Sequence, residues 1–278
     1  MNSSQLSTQH LSNRAIFQVT GNDAIRYING QVSQDVNRAS TELAVYSIVA
    51  SFKGKVQGDF YLRIYDGKLL IDTSGAQRES LLMRLDKYLI ADDAEIEDVS
   101  DEYQFYHVIK NADNDLVSHA LASWNCNRYG VPGKDYLCEK TYLYESVDSM
   151  EAWENFRISQ KIPNWENELN QDILPPEAGL EERAISYTKG CYTGQEVISR
   201  MKSAGKTNRH LVGFNFENEV SLPLDLFTEA EATGKPQATI TSACKNGSNG
   251  QLGLGYRTRK SEAINIFYDS KGNCYRVS

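Results

Sequence analysis

The sequence predicts an α+β protein that ends in a small all-β module. Strand-like runs such as residues 60–65 alternate with amphipathic segments such as 78–90, whose apolar residues recur at helical spacing. From Leu211 onward the character changes, because short β runs alternate with Asn-Gly and Lys-Gly turns. We therefore expect residues 1–207 to form a mixed α+β region and residues 208–278 to form a small β-barrel.

The elements follow in order along the chain. Strands are predicted at 14–20, 44–50, 60–65, 69–72, 96–99 and 105–109, with helices after Thr20, at 78–90 and at 150–159. Asp66-Gly67 predicts a tight hairpin, residues 111–144 a helix followed by a short strand, and 185–187 a further short strand. In the module, strands at 212–216, 238–241 and 264–268 are separated by predicted turns at Asn246-Gly247, Asn249-Gly250 and Lys271-Gly272.

Composition excludes several classes of protein. The net charge of −8 argues against duplex nucleic acid as a direct partner, because phosphate contacts need a basic surface. No apolar run approaches the roughly 20 residues that span a membrane. The polar stretch Met1–Ser12 lacks the features of a secretory signal, so we expect a cytoplasmic protein. The five cysteines are widely spaced, and neither disulfides nor a metal site made by this chain alone is predicted.

The segment KGCYTGQE at residues 189–196 is the strongest candidate for a functional site. Thr193 and Glu196 have the spacing of a capping box, so Cys191 is predicted just outside a helix N-terminus. The helix dipole and the charge of Lys189 would both favour the thiolate, which is the nucleophilic and metal-binding form. A free cysteine is more often a small buried apolar residue. The flanking Gly190 and Gly194 favour the functional interpretation here.

The most basic stretch of this acidic chain surrounds the same segment. It comprises Lys189, Arg200, Lys202, Lys206, Arg209 and the nearby His210. A solvated, salt-paired surface is favoured over an anion-binding surface.

The complete KGCYTGQE segment resembles the YgfZ family, the folate-binding relatives of the aminomethyltransferase T-protein (GcvT) of the glycine cleavage system. Thr20-Gly21-Asn22-Asp23, Gly30-Gln31 and Lys53-Gly54-Lys55 are similar to further family patterns. The resemblance implies a YgfZ/GcvT-like ring of two ferredoxin-like α+β subdomains and a C-terminal β-barrel around a folate-sized channel.

The resemblance also implies a role and a set of residues. Family members bind tetrahydrofolate and support the assembly or repair of iron–sulfur proteins, including enzymes that modify tRNA. Iron–sulfur client enzymes and assembly factors are therefore the expected partners. The motif implies Cys191 as the reactive residue, supported by Lys189, Gly190, Tyr192, Gly194, Gln195 and Glu196. The folate contacts it implies are Gln31, Asp59, Trp153 and Arg157.

Two departures from the T-protein pattern bear on the chemistry. Gln57-Gly58-Asp59 keeps one carboxylate where T-proteins have a pair, and Ser159 replaces the Glu of their R-x-E element. A serine hydroxyl cannot accept two N–H groups as a carboxylate does. The losses favour an accessory protein whose Cys191 is a sulfur ligand or redox handle facing a bound folate. A folate-dependent C1 transferase and a non-catalytic adaptor remain the alternatives.

Overall fold

Three antiparallel sheets organise the protein. The computed structural model describes residues 6–145, 147–205, 207–232, 234–245 and 250–278. The strands before the barrel are β1 (Thr8–Leu11), β2 (Arg14–Thr20), β3 (Val45–Ala50), β4 (Val56–Tyr65), β5 (Lys68–Ser74), β6 (Glu95–Asp98), β7 (Tyr103–Val108), β8 (Ala122–Asn125) and β9 (Lys134–Glu139). The first sheet has the order β3-β4-β5-β2-β6, and the second has the order β1-β7-β9-β8.

The helices cover these sheets and connect them to the barrel. They are α1 (Ala24–Gln31), α2 (Arg78–Asp86), α3 (Asn114–His119), α4 (Met150–Ser159), α5 (Glu181–Ala184) and α6 (Gln195–Ala204). Helix α4 begins after Ser149, whose hydroxyl accepts a hydrogen bond from the Ala152 N–H at 3.2 Å. Its Trp153 and Phe156 are one turn apart and both are buried.

The first sheet is buried on both faces because successive side chains along its strands point alternately into two cores. Phe17 packs with Ile28 and Leu81 beneath α1 and α2. Ile16, on the opposite face, packs with Trp124 of the second sheet. The two α+β subdomains therefore share one apolar interface.

A buried ion network crosses that interface. Arg63 on β4 donates to Asp72 on β5 and to Asp135 on β9, each at 3.0 Å, and Arg128 contacts both carboxylates. All four side chains are buried. Burial alone would raise the pKa of Asp72, but Arg128, Arg14 and Arg63 outweigh it and lower that pKa to about 2.

The C-terminal sheet closes into a barrel. Its strands are β10 (Arg209–Phe216), β11 (Leu224–Leu226), β12 (Ala238–Lys245), β13 (Gln251–Thr258), β14 (Ile266–Tyr268) and β15 (Cys274–Val277), in the order β11-β12-β13-β10-β15-β14. The two edges meet where Phe227 and Tyr268 exchange backbone hydrogen bonds, both at 2.8 Å. Closure removes exposed strand edges.

Most predicted elements are confirmed, and two are corrected. Helix α2 ends at Asp86 instead of Ile90, which is 86% exposed and has no packing to extend the helix. Residues 185–187 form no strand, because Ile185 and Tyr187 pack against α6 instead of pairing with a sheet. The predicted turns at Asn246-Gly247 and Asn249-Gly250 involve residues 246–249, which lie outside the described ranges.

Candidate functional site

A cavity of about 270 Å³ lies where the first sheet, the second subdomain and the segment after α4 meet. Its wall includes Arg14, Tyr46, Asp59 and Tyr61 from the first sheet, Arg128 and Tyr129 from the second subdomain, and Arg157 of α4, the segment Ile162–Trp165 and Arg183 of α5. The first sheet supplies the acid and two aromatic rings. The wall combines aromatic faces, one carboxylate and several guanidinium groups.

Asp59 is the carboxylate of this wall, and its geometry explains the sequence Gln57-Gly58-Asp59. Gln77 donates to Asp59 Oδ1 at 2.8 Å, and the Tyr46 hydroxyl donates to Oδ2 at 3.1 Å. A Cβ at Gly58 would lie 2.9 Å from Gln77 Oε1, so glycine lets Gln77 approach. Burial raises the pKa of Asp59. The carboxyl group is therefore easier to protonate than an exposed aspartate.

The aromatic part of the wall is formed by tyrosines. The rings of Tyr46 and Tyr61 lie 4.9 Å apart. The guanidinium of Arg128 lies 4.2 Å from the centre of the Tyr61 ring, and that of Arg183 lies 5.3 Å from the centre of the Tyr46 ring. Such faces suit a flat aromatic or heteroaromatic ligand.

Two polar atoms of cavity-wall residues are buried without a hydrogen-bond partner in the described part of the chain. They are Oδ1 of Asn164 and Nε of Arg183. Buried polar groups are nearly always hydrogen-bonded, so an unsatisfied acceptor and an unsatisfied donor in one wall are unusual. In contrast, Arg128 is neutralised by Asp72 and Asp135.

Arg157, predicted as a folate contact, lines the cavity but uses its donors within the protein. Its guanidinium pairs with Glu154 and Glu168 and donates to the Ile162 carbonyl and the Ser242 hydroxyl. It therefore joins α4, the cavity wall and the barrel. Ser159 donates to the Phe156 carbonyl at 2.7 Å and does not line the cavity.

Trp153 and Gln31 lie away from the cavity. The Trp153 indole is 1% exposed, donates to the Thr8 carbonyl at 3.3 Å and packs 5.0 Å behind the Tyr129 ring. Gln31, at the end of α1, accepts from Arg84 at 3.0 Å. At these positions neither residue lines the cavity, and Tyr129 lies in the wall between the cavity and Trp153.

Cys191 is exposed and lines a different feature of the surface. It borders an open depression of about 470 Å³ together with Phe52 and the first turn of α6. This depression shares no lining residue with the cavity. The thiol therefore does not line the cavity that contains Asp59.

The predicted capping box is also wrong. The N-cap of α6 is Gly194, with φ of +83° and no side-chain cap, and Glu196 instead pairs with Arg200 at 2.7 Å. A Cβ at residue 194 would lie 2.4 Å from the Ser51 carbonyl oxygen. Glycine is needed here for both conformation and space. An added Cβ at Gly190 would meet nothing within 4 Å.

Lys189 anchors the motif instead of presenting its charge to the thiol. Its ammonium donates to the carbonyls of Asn29 at 2.5 Å and of Val32 and Gln34 at 2.9 Å. These bonds use all three protons. Burial lowers the pKa of Lys189 to about 8. Tyr192 is buried beside it in the cluster formed with Ala50, Ile185 and Ile198.

The basic stretch matches the salt-paired alternative. Arg209 pairs with Glu177 at 3.0 Å, and Lys202 lies 3.6 Å from the centre of the Tyr187 ring. Lys206 lies outside the described residues. The described cations of the stretch are thus largely engaged by neighbouring side chains.

The described ranges contain neither a candidate metal-binding cluster nor a candidate membrane-spanning helix. Among the described residues, no cluster of three or more His, Cys, Asp or Glu side chains could hold a metal ion. No helix in those ranges combines the length and apolarity needed to cross a bilayer.

Several residues of the cavity wall could not be identified from the sequence. Tyr46, Tyr61, Arg128 and Arg183 belong to no short motif and come from distant parts of the chain. Asn164-Trp165 had one local signal, because it directly follows the Ile162-Pro163 turn.

Comparisons with known proteins agree with this architecture. No family model matches the chain. A putative chloroplastic transferase of Arabidopsis thaliana is 26% identical over 289 residues, covering 91% of this chain and 66% of its own length. The tRNA-modifying protein YgfZ of Colwellia psychrerythraea is 25% identical over 232 residues, covering 75% and 71%. That of Hamiltonella defensa is 25% identical over 227 residues, covering 72% and 67%.

The fold has a solved counterpart. The aminomethyltransferase T of the glycine cleavage system from Bartonella henselae superposes with a TM-score of 0.78 and 13% identity, covering 98% of this chain and 85% of that one. At this identity the likeness shows the fold. The chain is thus similar to YgfZ proteins in sequence and to an aminomethyltransferase T in fold.

Proposed function

We propose that the protein is a tetrahydrofolate-binding, YgfZ-like cytoplasmic factor that supports the assembly or repair of iron–sulfur enzymes, including enzymes that modify tRNA. Relatives named tRNA-modifying protein YgfZ support the tRNA-linked role. The observation that carries the proposal is the exposed Cys191, which lies within a complete KGCYTGQE segment on an aminomethyltransferase fold.

The cavity that contains Asp59 fits the pterin end of a folate. A pterin is flat and carries N–H donors beside acceptor atoms, which match the tyrosine faces and the unpaired atoms of Asn164 and Arg183. Small-molecule pockets usually measure roughly 300–1,000 Å³. At about 270 Å³ the cavity suits the ring end of the ligand, with its tail extending outward. When bound, tetrahydrofolate supplies the ring nitrogen N5 and the bridging amine N10, which carry one-carbon units.

Asp59 is the residue of this wall that can hold or release a proton. Burial raises its pKa although the bonds from Gln77 and Tyr46 oppose the rise, and a carboxyl group that protonates more easily can donate to, or accept from, a ligand nitrogen. Tyr46 and Gln77 hold the carboxyl in one orientation. This arrangement binds and orients a ligand whether or not a reaction follows.

Cys191 would act on a client outside the cavity. One thiolate can supply a single ligand to iron. It can also attack the S–S bond of a partner's persulfide or disulfide, forming a new S–S bond to one sulfur while the other sulfur leaves as a thiolate. A cluster needs further ligands, which a client protein or glutathione would provide. The open depression and the 73% exposed Phe52 beside the thiol leave room for a macromolecule to approach.

Complementation tests this role directly. A bacterial strain that lacks its own YgfZ-type protein would receive the wild-type chain, Cys191→Ser or Cys274→Ser, and tRNA thiolation would be measured. Cys274 is the matched control, because it is the other exposed cysteine of the described chain. We expect Cys191→Ser to fail and Cys274→Ser to restore thiolation. Full restoration by Cys191→Ser would refute the role of the thiol.

A folate-dependent C1 transferase is the second candidate, and Asp59 is the observation that favours it. Its raised pKa suits a general acid or base. The proposal ranks below the first because the cavity wall has one carboxylate and Ser159 lies outside it. Turnover of a methylamine donor with tetrahydrofolate, abolished by Asp59→Asn, would establish it. Client binding without any folate binding would instead favour a non-catalytic adaptor.

A further inference from the structure

The barrel lies next to the cavity without lining it. None of the cavity-wall residues in the described chain belongs to β10–β15. The wall segment Ile162–Trp165 follows α4 and leads directly to Glu168. Contacts with this segment and with α4 are therefore one route by which the barrel can influence the cavity.

Glu168 makes that contact. Its carboxylate is fully buried, and its two oxygens bond to different parts of the protein, each with two partners. Oε2 accepts from Arg157 at 2.8 Å and from the Asn164 N–H at 3.2 Å, on the cavity side. Oε1 accepts from the hydroxyls of Thr241 at 2.7 Å and Ser242 at 2.6 Å, on β12 of the barrel.

Arg157 also connects the wall segment to the barrel. Its Nη1 donates to the Ile162 carbonyl at 2.6 Å as well as to Glu168, and its Nη2 donates to Ser242 at 2.8 Å. The backbone carbonyl of Glu168 also accepts from the Tyr256 hydroxyl at 2.8 Å. Two buried side chains therefore tie both ends of the wall segment to one strand of the barrel.

We infer that Glu168 is a positioning residue through which the barrel sets the geometry of the cavity wall at Ile162–Trp165, and thereby the affinity of the cavity for its ligand. This inference rests on the proposed folate site. A buried carboxylate with four short contacts has little freedom to move, because any displacement leaves a charged oxygen or a donor unpaired. Loss of the barrel hydroxyls would loosen Glu168, Arg157 and the wall segment together.

A simpler role for Glu168 is to attach the barrel and add stability, with no effect on the ligand. The two roles differ in what the barrel residues Thr241 and Ser242 do. If Glu168 only attaches the barrel, removing their hydroxyls lowers the melting temperature and leaves ligand affinity unchanged. If Glu168 positions the wall, the same change also weakens the ligand, although neither residue lines the cavity.

The test uses the full-length chain with the double substitution Thr241→Val and Ser242→Ala. The control is Thr239→Val, which removes another hydroxyl bond from the same strand, the one from Thr239 to Asp225 at 2.8 Å. Calorimetric titration with tetrahydrofolate should give a Kd raised about tenfold for the double variant. The control should stay within about twofold of wild type. A folded double variant with wild-type Kd overturns the inference.

Hydrogen exchange separates this inference from the proposed ligand. In the ligand-free protein, amides of residues 160–168 should exchange faster in the double variant than in wild type or Thr239→Val, since the Asn164 N–H bonds to Glu168. Faster exchange with no folate binding by wild type would refute the ligand and retain the positioning role. Unchanged exchange and unchanged Kd, with folate bound by wild type, would refute the positioning role and retain the ligand.

Discussion

The ammonium of Lys189 lies 2.5 Å from the backbone oxygen of Asn29, at the C-terminal end of α1. The same ammonium also bonds the carbonyls of Val32 and Gln34. The first residue of the KGCYTGQE segment is therefore an anchor that fixes the segment to the first subdomain. The exposed Cys191 lies two residues after this anchor, so its backbone is held close to the first subdomain.

Replacing Lys189 with Met should destabilise the protein by about 2 kcal/mol, because the carbonyls it serves lose a charged donor. Urea unfolding followed by far-UV circular dichroism measures this change. Lys53→Met is the control, since Lys53 is exposed on the neighbouring turn. Equal unfolding free energies for both variants would show that the ammonium has no anchoring role.

Two glycines of the motif should respond differently to alanine. Gly194→Ala should cost about 3 kcal/mol, since it combines a φ of +83° with a 2.4 Å approach to the Ser51 carbonyl. Gly190→Ala should change stability by less than about 0.5 kcal/mol, because its Cβ would be free of contacts. Thermal unfolding of the pair gives the comparison, and equal losses would contradict it.

The buried ion network predicts an acid-sensitive fold. The pKa of Asp72 is lowered to about 2, so its ion pairs add stability that is complete above the ordinary aspartate pKa and is lost as pH falls from about 4 to about 2. The unfolding free energy from urea titrations at pH 6, 4, 3 and 2 should decrease mainly over that interval. A free energy that stays constant between pH 4 and pH 2 would contradict the role of the network.

Substitutions of two tryptophans, one in the cavity wall and one behind it, should have different effects on ligand affinity and on stability. Trp165 lines the cavity, whereas Trp153 lies behind Tyr129. We expect Trp165→Ala to weaken tetrahydrofolate binding about tenfold. Trp153→Phe should lower stability by about 2 kcal/mol with little change in Kd. A loss of affinity confined to Trp153→Phe would restore the pterin contact first predicted for that residue.

Local patterns predicted most of the elements and part of the site. The bounds of α4 follow from its N-cap Ser149 and its apolar spacing, and the Asp66-Gly67 turn joins β4 to β5 as predicted. The role of Gly194 could not be predicted, because it depends on Ser51, more than a hundred residues earlier. Thr193 and Glu196 had the right spacing for a cap, but tertiary contact placed the N-cap at the glycine.

The cavity also could not be predicted from local sequence patterns, because it too depends on contacts between residues that are far apart in the sequence. Arg14 and Arg183 approach one wall only after two sheets and the connecting segment have packed together. The resemblance pointed to Asp59, which lines that wall. It could not show that Cys191 opens onto a separate depression, because the direction of the chain after α5 is set by packing of Ile185 and Tyr192.

If folate binds in the cavity while Cys191 acts outside it, Asp59 and Cys191 should differ in their effect on folate binding. Calorimetric titration of wild type, Asp59→Asn and Cys191→Ser with tetrahydrofolate tests it most directly. We predict a Kd for Cys191→Ser within about twofold of wild type. The Kd of Asp59→Asn should be raised about tenfold or more, because Asp59 lies in the wall. Loss of folate binding in Cys191→Ser with wild-type binding by Asp59→Asn would contradict the account.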